Sequence, residues 1–345
     1  MNRDSLVKYS LGIDVSGDSL ECKLVAIKSD QEVRALAGYS FDNRQAKFDS
    51  LHKWLQKQLK YADLPLCVVM EATGVYYEAI AQYLYDQGYS VSVVLPNKAK
   101  RYMQSLGLKS KTDRIDASGL ARMGAEQRLS TWEPMSAEFA QLRTLTRHLR
   151  RLQELKTDVR HQLEAHRRMN HTCQIVIGQQ EQMMKWIEAQ IRDGKQEVEK
   201  HVESYPELNA QVHRIMDDLQ GVGILTVCVI LAETNGFKLF GNVRQLISFC
   251  GYDVKENQSG KFKGKAKISK QGNSHVRRIL HMPALNVVRF GVEPFVSVWQ
   301  RVYENSGVKM KAYVAIQRKL LALIYTLYKK QEAFCVPSVD ESVAA

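Results

Sequence analysis

The sequence predicts an α/β domain in its first part, a long helical segment in the middle and a mainly α-helical domain at the end. Three observations support this prediction: short apolar runs alternate with helical patterns at the start, a long apolar stripe follows, and glycine-bounded helical runs complete the chain. At 345 residues the chain is long enough to build two cores. We place the domains at 1–132, 133–206 and 207–336, with a disordered tail at 337–345.

The N-terminal domain opens with three short strands, separated by the polar breaks typical of antiparallel hairpins. Strands and helices then alternate, as in parallel crossover units. The predicted elements are strands at 8–14, 20–28 and 32–41, a helix through 48–59, a strand at 66–71, a helix from about Val75 and a strand at 89–95. Three strands followed by helix, strand, helix, strand and helix is the element order of an RNase H-like domain.

The middle segment has the apolar spacing of a long helix from Ser136 to about Asn170. Its stripe contains Leu142, Leu145, Leu149, Leu152, Val159 and Leu163. A second helix is predicted at 181–203, with Gly194 as a weak point. The two helices could pair as an antiparallel hairpin, or the first could dimerise as a coiled coil, and the sequence leaves both open.

Two glycines mark the start of the C-terminal domain, where Gly221-Val222-Gly223 leads directly into an apolar helix at 224–233. This pattern resembles the hairpin of helix-hairpin-helix modules, in which glycine lets backbone N–H groups approach a phosphate. A tight turn without a ligand is the alternative. Further helices are predicted at about 240–250, 274–290 and 311–330.

The net charge of +12 is concentrated in two segments. Residues 141–170 hold eight Lys/Arg and three Asp/Glu, residues 255–278 hold eight and one, and these two segments carry the whole excess. Local positive surfaces are typical of proteins that bind polyanions, although a solvated helix face is the alternative for the first segment. The candidate nucleic-acid contacts are Lys111, Arg143, Arg147, Arg150, Arg151, Lys261, Lys263, Lys265, Lys267, Lys270, Arg277 and Arg278.

The six cysteines show no CxxC spacing, which indicates reduced core thiols rather than a zinc site or a secreted disulfide framework. The first residues lack the apolar segment of a signal peptide, and the longest apolar run, Ile224–Ala232, is too short to span a bilayer. We therefore expect a cytoplasmic protein, associated with the nucleoid and without a membrane partner.

Four acidic residues are predicted to meet at one edge of the N-terminal sheet. Asp14 ends the first strand, Glu71 ends the fourth, and Asp113 and Asp116 stand three residues apart at a helix start. Clustered carboxylates repel one another unless they hold a cation, so four together indicate divalent metal, two Mg²⁺ ions with Mn²⁺ as the alternative. Each acid taken alone is better explained as a turn, cap or surface residue.

Ser259 is the candidate nucleophile. It precedes four lysines that alternate over 261–267 and would share one side of an extended segment, facing phosphates. Since no His-Asp partner is evident, a metal ion or a lysine is the predicted activator of the hydroxyl. Ser269 competes as the nucleophile, with a helix-entry or phosphate-contact role as its alternative. Tyr252 is the tyrosine alternative, although no matching Arg/His set can be assigned.

Several short motifs follow one another in a specific order. They are Gly12-Ile13-Asp14, Glu71-Ala72-Thr73-Gly74, Lys111-Thr112-Asp113-Arg114-Ile115-Asp116-Ala117, Gly221-Val222-Gly223, Ser259-Gly260, and Ser269-Lys270-Gln271-Gly272 leading into Arg277-Arg278. Together they resemble the insertion-sequence transposases that have a RuvC-like DEDD domain and a separate serine-bearing C-terminal domain. That group includes Piv-type DNA invertases and bridge-RNA-guided recombinases.

The resemblance implies that the four acids are the DEDD metal ligands and that Ser259 forms a covalent link to DNA. It also implies dimers that join as a tetramer in synapsis, and an active site that combines one protomer's metal cluster with another protomer's serine. A structured noncoding RNA that pairs with donor and target DNA is implied as well. We therefore expect a DNA transposase or recombinase that cuts and rejoins strands. The alternatives are a Holliday-junction-type metal-dependent nuclease in which water attacks, a protein-only DNA invertase, and a non-catalytic nucleic-acid scaffold.

Overall fold

The computed structural model describes residues 6–107, 112–255, 258–259, 262–263 and 267–330, with the two dipeptides given by their backbone alone. Of the predicted site residues, Lys111, Lys261 and Lys265 lie outside the described residues, as do the side chains of Ser259 and Lys263 and the tail at 337–345. The chain divides into two units, Met1–Pro134 and Met135–Ala345.

The first unit is built on a five-stranded mixed sheet. Its strands are β1 (Leu6–Val15), β2 (Ser19–Lys28), β3 (Val33–Asp42), β4 (Leu66–Glu71) and β5 (Ser90–Val94), and its helices are α1 (Gln45–Gln58), α2 (Glu78–Asp86), α3 (Pro96–Ser105) and α4 (Asp113–Glu126). The strand order is β3-β2-β1-β4-β5, in which the first three strands form an antiparallel meander and β4 and β5 add in parallel to β1. The predicted element order is confirmed and fits an RNase H-like fold.

Side chains along β1 alternate between two helical layers because successive residues of a strand point to opposite faces. Leu11 and Ile13 are fully buried in a core shared with α1, which contributes Phe48 and Leu51, and with α2, which contributes Ile80. Gly12 faces the other way, against α4. Each fully buried aliphatic side chain stabilises the fold by roughly 1.5–3 kcal/mol. The central strand is therefore held from both sides.

The second unit consists mainly of helices. They are α5 (Ala137–Arg167), α6 (Gln174–Glu203), α7 (Pro206–Asp218), α8 (Ile224–Thr234), α9 (Val243–Phe249), α10 (Ser274–Ile279), α11 (His281–Arg289), α12 (Phe295–Ser306) and α13 (Lys309–Lys330). Two short antiparallel ladders lie between α9 and α10 in the chain. In these, β6 (Val254–Lys255) pairs with β9 (Lys267–Ile268), and β7 (Gln258–Ser259) pairs with β8 (Phe262–Lys263).

The two long helices, α5 and α6, pack against each other as an antiparallel hairpin. The Lys156 to Glu188 pair, 2.8 Å between Nζ and Oε1, joins their central parts. Gly194 does not weaken α6, because it lies at the contact with α5: a Cβ there would be 2.6 Å from Cδ2 of Leu149. The hairpin is thus the alternative that the structure realises within one chain.

The helices of the second unit differ from the prediction in four respects. The second long helix begins at Gln174 rather than 181, and Pro206 starts α7 rather than only ending a helix, since proline is tolerated at the first helical position. The predicted helix at 274–290 is two helices, because Pro283 cannot donate a backbone hydrogen bond. The sequence prediction also missed α12, whose only buried residue is Phe295.

The cysteine prediction holds in part. Cys22, Cys228 and Cys250 are buried, but Cys173 is exposed at the N-cap of α6, which corrects the expectation of core thiols throughout. Burial raises the pKa of both the Cys228 and Cys250 thiols to about 12, so these thiols are unreactive at neutral pH. Among the described residues, every helix is too short or too polar to cross a membrane.

Candidate metal centre and nucleic-acid interface

Asp14 and Glu71 follow matching positions on neighbouring parallel strands. Ile13 on β1 is the register partner of Met70 on β4, and the two acids come directly after this pair. Both acids are half-buried. Since neighbouring strands lie about 4.7–4.9 Å apart, the backbones of Asp14 and Glu71 are adjacent at the carboxyl ends of the strands.

Helix α4 packs closely against the face of the sheet on which Gly12 lies. A Cβ at Gly12 would lie 2.1 Å from the carbonyl oxygen of Ala117 and 2.2 Å from the amide nitrogen of Ala121. Further along the helix, a Cβ at Gly124 would lie 2.3 Å from Oγ of Ser10. Because the residue numbers on α4 rise as those on β1 fall, the helix runs antiparallel to the strand.

This antiparallel packing places the start of α4 at the carboxyl ends of β1 and β4. Asp113 and Asp116 lie in the first turn of α4, immediately before the contact at Ala117. Asp14 lies two residues beyond Gly12 and so on the face of β1 that α4 covers. The backbone therefore directs all four predicted acids toward one end of the sheet.

The first turn of α4 favours negative charge. Thr112 is its N-cap, and the Thr112 hydroxyl accepts a hydrogen bond from the backbone N–H of Ile115 at 3.3 Å. Carboxylates near a helix N-terminus are stabilised by the unpaired N–H groups and by the helix dipole. Asp113 is exposed and Asp116 is half-buried, so solvent reaches this turn.

The carboxylate side chains do not enclose a metal site in this structure. In the parts of the chain that the structure describes, no group of three or more His, Cys, Asp or Glu side chains is arranged to hold a metal ion. The chemistry of the donor set fits a hard divalent cation, because carboxylate oxygens are the protein ligands that Mg²⁺ accepts.

Ser259 belongs to the second unit, in the short strand β7. The antiparallel pairs Gln258 with Lys263 and Ser259 with Phe262 show that the chain doubles back immediately after the serine. Lys267 belongs to the other ladder, in β9. Lys263 and Lys267 thus belong to different ladders, whereas Lys261 and Lys265 lie outside the described residues, so the extended run of alternating lysines stays a prediction.

The segment that carries Ser259 leaves and rejoins the domain through a stem formed by β6 and β9. At its base, Gly251 and Gly272 allow a close backbone approach: a Cβ at Gly272 would lie 2.2 Å from the carbonyl oxygen of Phe249. Arg277 donates from one guanidinium nitrogen to the carbonyl oxygens of Cys250 at 2.7 Å and Gly272 at 3.1 Å. Arg277, predicted to contact nucleic acid, thus also holds this base together.

The two competing nucleophiles have other roles in the structure. The Ser269 hydroxyl accepts a hydrogen bond from the backbone N–H of Gln271 at 3.3 Å, and the cap of the following helix is Asn273, so the helix-entry role of Ser269 is wrong. The Tyr252 hydroxyl donates to Oε1 of Gln317 at 2.9 Å, and burial raises the pKa of Tyr252. The Tyr252 hydroxyl is therefore buried and engaged, whereas Ser269 is half-buried and stays the competing serine.

Sequence reasoning missed Glu233, a carboxylate buried at the end of the apolar helix α8. Arg147 donates two hydrogen bonds to it, at 2.7 and 2.9 Å, and the Asn273 side-chain amide donates a third at 2.7 Å. Burial alone would raise the pKa of Glu233, but these bonds and the charge of Arg147 hold the pKa below its ordinary value. The position of this acid at the end of an apolar run in the sequence could have indicated a buried carboxylate.

Glu154 pairs with three more of the arginines that were predicted to contact nucleic acid. Arg150 donates to it at 3.1 Å, Arg151 lies 3.7 Å away and Arg278 also pairs with it. The same Arg150 donates to Nδ1 of His275 at 2.8 Å, and burial together with this neighbouring charge lowers the pKa of His275. These arginines therefore tie α5 to α10 in addition to any contact they make with nucleic acid.

The glycines before α8 form a tight connection. Gly221 has a left-handed φ of 94°, and Gly223 is the N-cap of the helix. Both the predicted phosphate-binding hairpin and the plain turn remain compatible with this geometry. Arg143 lies on α5 and is half-buried, whereas Lys267 and Lys270 are exposed near the stem.

Two family comparisons match the chain. Residues 11–168 match the DEDD transposase domain of IS110 elements, described as transposase, and residues 213–300 match the Transposase IS116/IS110/IS902 family. The pilin gene-inverting protein of Moraxella bovis is 27% identical over 331 residues, covering 95% of this chain and 98% of that protein. The transposase for insertion sequence element IS1111A of Coxiella burnetii is 22% identical, covering 78% and 79% of the two chains. A RuvC structure from Thermus thermophilus aligns at 17% identity over 34% of this chain and 93% of its own, with a TM-score of 0.27.

Proposed function

Since the chain belongs to the IS116/IS110/IS902 family of transposases and is a DNA recombinase, we propose that it cuts and rejoins strands through Ser259. The acids Asp14, Glu71, Asp113 and Asp116 are proposed to hold the divalent metal, with Mg²⁺ as the first choice and Mn²⁺ as the alternative. The observation that supports the proposal is the close packing of Gly12 against Ala117, because it sets the start of α4 near the strand ends that carry Asp14 and Glu71.

The bound metal would polarise the scissile phosphate and stabilise the attacking and leaving oxygens. Asp14 and Glu71 would provide donors at the strand ends, and Asp113 and Asp116 would provide donors from the first turn of α4, beside the N–H groups of the helix N-terminus. Side-chain rotations would be needed to bring the four carboxylates onto the metal.

The Ser259 oxygen is proposed to replace one oxygen of a DNA phosphodiester. One P–O ester bond to DNA breaks as one P–O ester bond to serine forms, so the bond energy is conserved. In the reverse step, a free DNA hydroxyl attacks the phosphate that is bound to serine. The new strand is then joined, and the serine hydroxyl is released. Lysines of the segment from 261 to 270 would pair with the phosphates during this exchange.

A denaturing gel distinguishes this mechanism from its alternatives. Radiolabelled DNA is incubated with the full chain and Mg²⁺, heated in detergent and resolved. The proposal predicts labelled DNA linked to protein for the wild type and for Ser269→Ala, but not for Ser259→Ala. Free cut DNA that forms without any linked species would support the nuclease in which water attacks. Binding without metal-dependent scission would support the scaffold.

We also propose that a structured noncoding RNA pairs with donor and target DNA, and that dimers assemble as a tetramer. The two basic segments support a polyanion of this kind. A second candidate is protein-only DNA inversion, favoured by the nearly full-length match to a pilin gene-inverting protein. Recombination assayed with and without the transcript of the flanking noncoding DNA separates the two. Loss of activity after ribonuclease treatment supports RNA guidance, and full activity after it supports inversion by protein alone.

A further inference from the structure

A large cavity lies beside the stem of the Ser259 segment, entirely within the second unit. Its volume is about 690 Å³. One wall comes from the stem strands through Val254 and Ile268, and the other from the start of α13 through Met310 and Val314. Tyr252 also lines it. Ligand sites in proteins typically measure about 300–1,000 Å³, so a nucleobase with its sugar fits this space.

The cavity is lined by apolar side chains and also by positively charged ones. Its charged lining residues are Lys267, Lys270, Lys311 and Arg318, and none of the described residues that line it is acidic. These four cations form no ion pair with an acid in the described chain. A planar apolar group that carries a phosphate on either side matches this combination.

Apolar residues at the mouth are unusually exposed to solvent. Val254 is 52% exposed and Met310 is 54% exposed, although both belong to regular elements that could have placed them inside. Lys270 adopts a left-handed φ of 52°, a conformation that is strained for a non-glycine residue. An exposed apolar patch and a strained cation at one cavity are typical of a binding site.

We propose that this cavity binds one unstacked nucleotide of the substrate DNA, with the base against the apolar wall and its flanking phosphates on the cations. Proteins that act on DNA hold extruded bases between apolar or aromatic side chains. An apolar protein segment fits less well, because it would bury four cations without partners. The proposal rests on the proposed function for the choice of DNA, and it places the distorted nucleotide beside the stem that carries Ser259.

The test measures binding in a Ser259→Ala background, so that failure of strand cleavage leaves the readout intact. The probe is a single-stranded oligonucleotide with one 2-aminopurine, whose emission rises when the base unstacks. Ala315→Trp fills the cavity from α13. We expect it to abolish the emission change and weaken single-strand binding about tenfold, the loss of one stacked base. The matched control is Ala210→Trp, at an exposed helical alanine of α7.

The charge component has its own variants. Lys311→Gln should reduce the slope of log affinity against log salt by the amount expected for the loss of about one phosphate contact. Lys238→Gln, at an exposed lysine that does not line the cavity, is the control and should leave the slope unchanged. An unchanged emission in Ala315→Trp, with its fold intact by circular dichroism, would overturn the proposal. So would a shift in oligomeric state instead of DNA binding, which would indicate a second copy as the occupant.

A variant-free measurement covers the case in which Ala315→Trp does not fold. Oligonucleotides that carry 5-iodouracil are cross-linked to the Ser259→Ala chain by light, and the linked peptide is identified by mass spectrometry. Attachment to the peptide with Met310 or to Tyr252 supports the proposal. Attachment only to peptides that do not line the cavity contradicts it.

Discussion

Gly12 on β1 lies so close to Ala117 on α4 that a Cβ on Gly12 would be 2.1 Å from the Ala117 carbonyl oxygen. The contact is between two backbones, so no side-chain rotation can relieve it. This approach fixes where α4 starts relative to the strand ends, and with it the positions of Asp113 and Asp116.

The first prediction concerns this contact. Gly12→Ala should destabilise the first unit by about 3 kcal/mol or more and abolish metal-dependent cleavage, because the helix must move away from the sheet. Chemical denaturation and the gel assay measure the two effects. Gly178→Ala is the control, since nothing lies within 4 Å of a Cβ there and alanine favours the helix. Wild-type stability in Gly12→Ala would disprove the packing argument.

The second prediction concerns metal binding without activity as the readout. Mg²⁺ in excess should raise the melting temperature of the wild type, because a ligand that binds only the folded state stabilises it. Asp113→Asn should remove this rise and leave the metal-free melting temperature unchanged or higher, since one repelling carboxylate is neutralised. Asp86→Asn, at an exposed acid of α2, is the control and should retain the full rise. An equal rise in both variants would exclude Asp113 as a ligand.

The sequence was sufficient to predict the strands of the sheet and the start of α4, because local patterns encode them. Strands β1, β4 and β5 are short apolar runs, and α4 begins after Thr112, a side chain that caps helices. The role of Gly12 was not predictable, because a close approach between distant backbones has no local pattern. The same reason applies to Gly272 against Phe249 and to the placement of Lys263 and Lys267 in different ladders.

The Glu233 network was also beyond sequence reasoning. Its partners Arg147 and Asn273 are separated from it by 86 and 40 residues, so only the tertiary fold brings them together. The helix α12 does carry an apolar stripe at helical spacing, formed by Phe295, Val298, Trp299 and Val302, so its pattern was present in the sequence and was overlooked.

The third prediction follows from the lowered pKa of Glu233. A depressed carboxyl pKa contributes stability that is present above the ordinary value of 4.5 and is lost as pH falls through the lower folded value. Glu233→Gln should therefore cost about 3 kcal/mol at pH 7, because the hydrogen bonds from Arg147 and Asn273 lose the buried negative charge that they stabilise, and the difference from wild type should shrink in acid. Urea denaturation at pH 7 and below pH 4 measures this. Glu188→Gln, in the exposed pair with Lys156, should change little at either pH. A pH-independent difference would contradict the assignment.

The fourth prediction tests whether the acids and the serine act together. Asp14→Asn and Ser259→Ala should each be inactive alone, because each lacks one part of the proposed chemistry. If one protomer's acids serve another protomer's serine, as the family resemblance implies, a mixture of the two variants should recover part of the wild-type activity. Recombination in a plasmid assay measures recovery, and a mixture of Asp14→Asn with Glu71→Gln is the negative control. Complete inactivity of the first mixture would restrict the chemistry to one protomer.

The central claim is that the Ser259 oxygen becomes joined to DNA. The most direct measurement is digestion of the heat-stable protein–DNA species by protease and nuclease, followed by mass spectrometry of the modified peptide. We predict a nucleotide-derived phosphate on Ser259 in the wild type and in Ser269→Ala, with no such species formed by Asp14→Asn. A modification on Ser269, on Tyr252 or on any other residue, or cleaved DNA without a modified peptide, would contradict the mechanism.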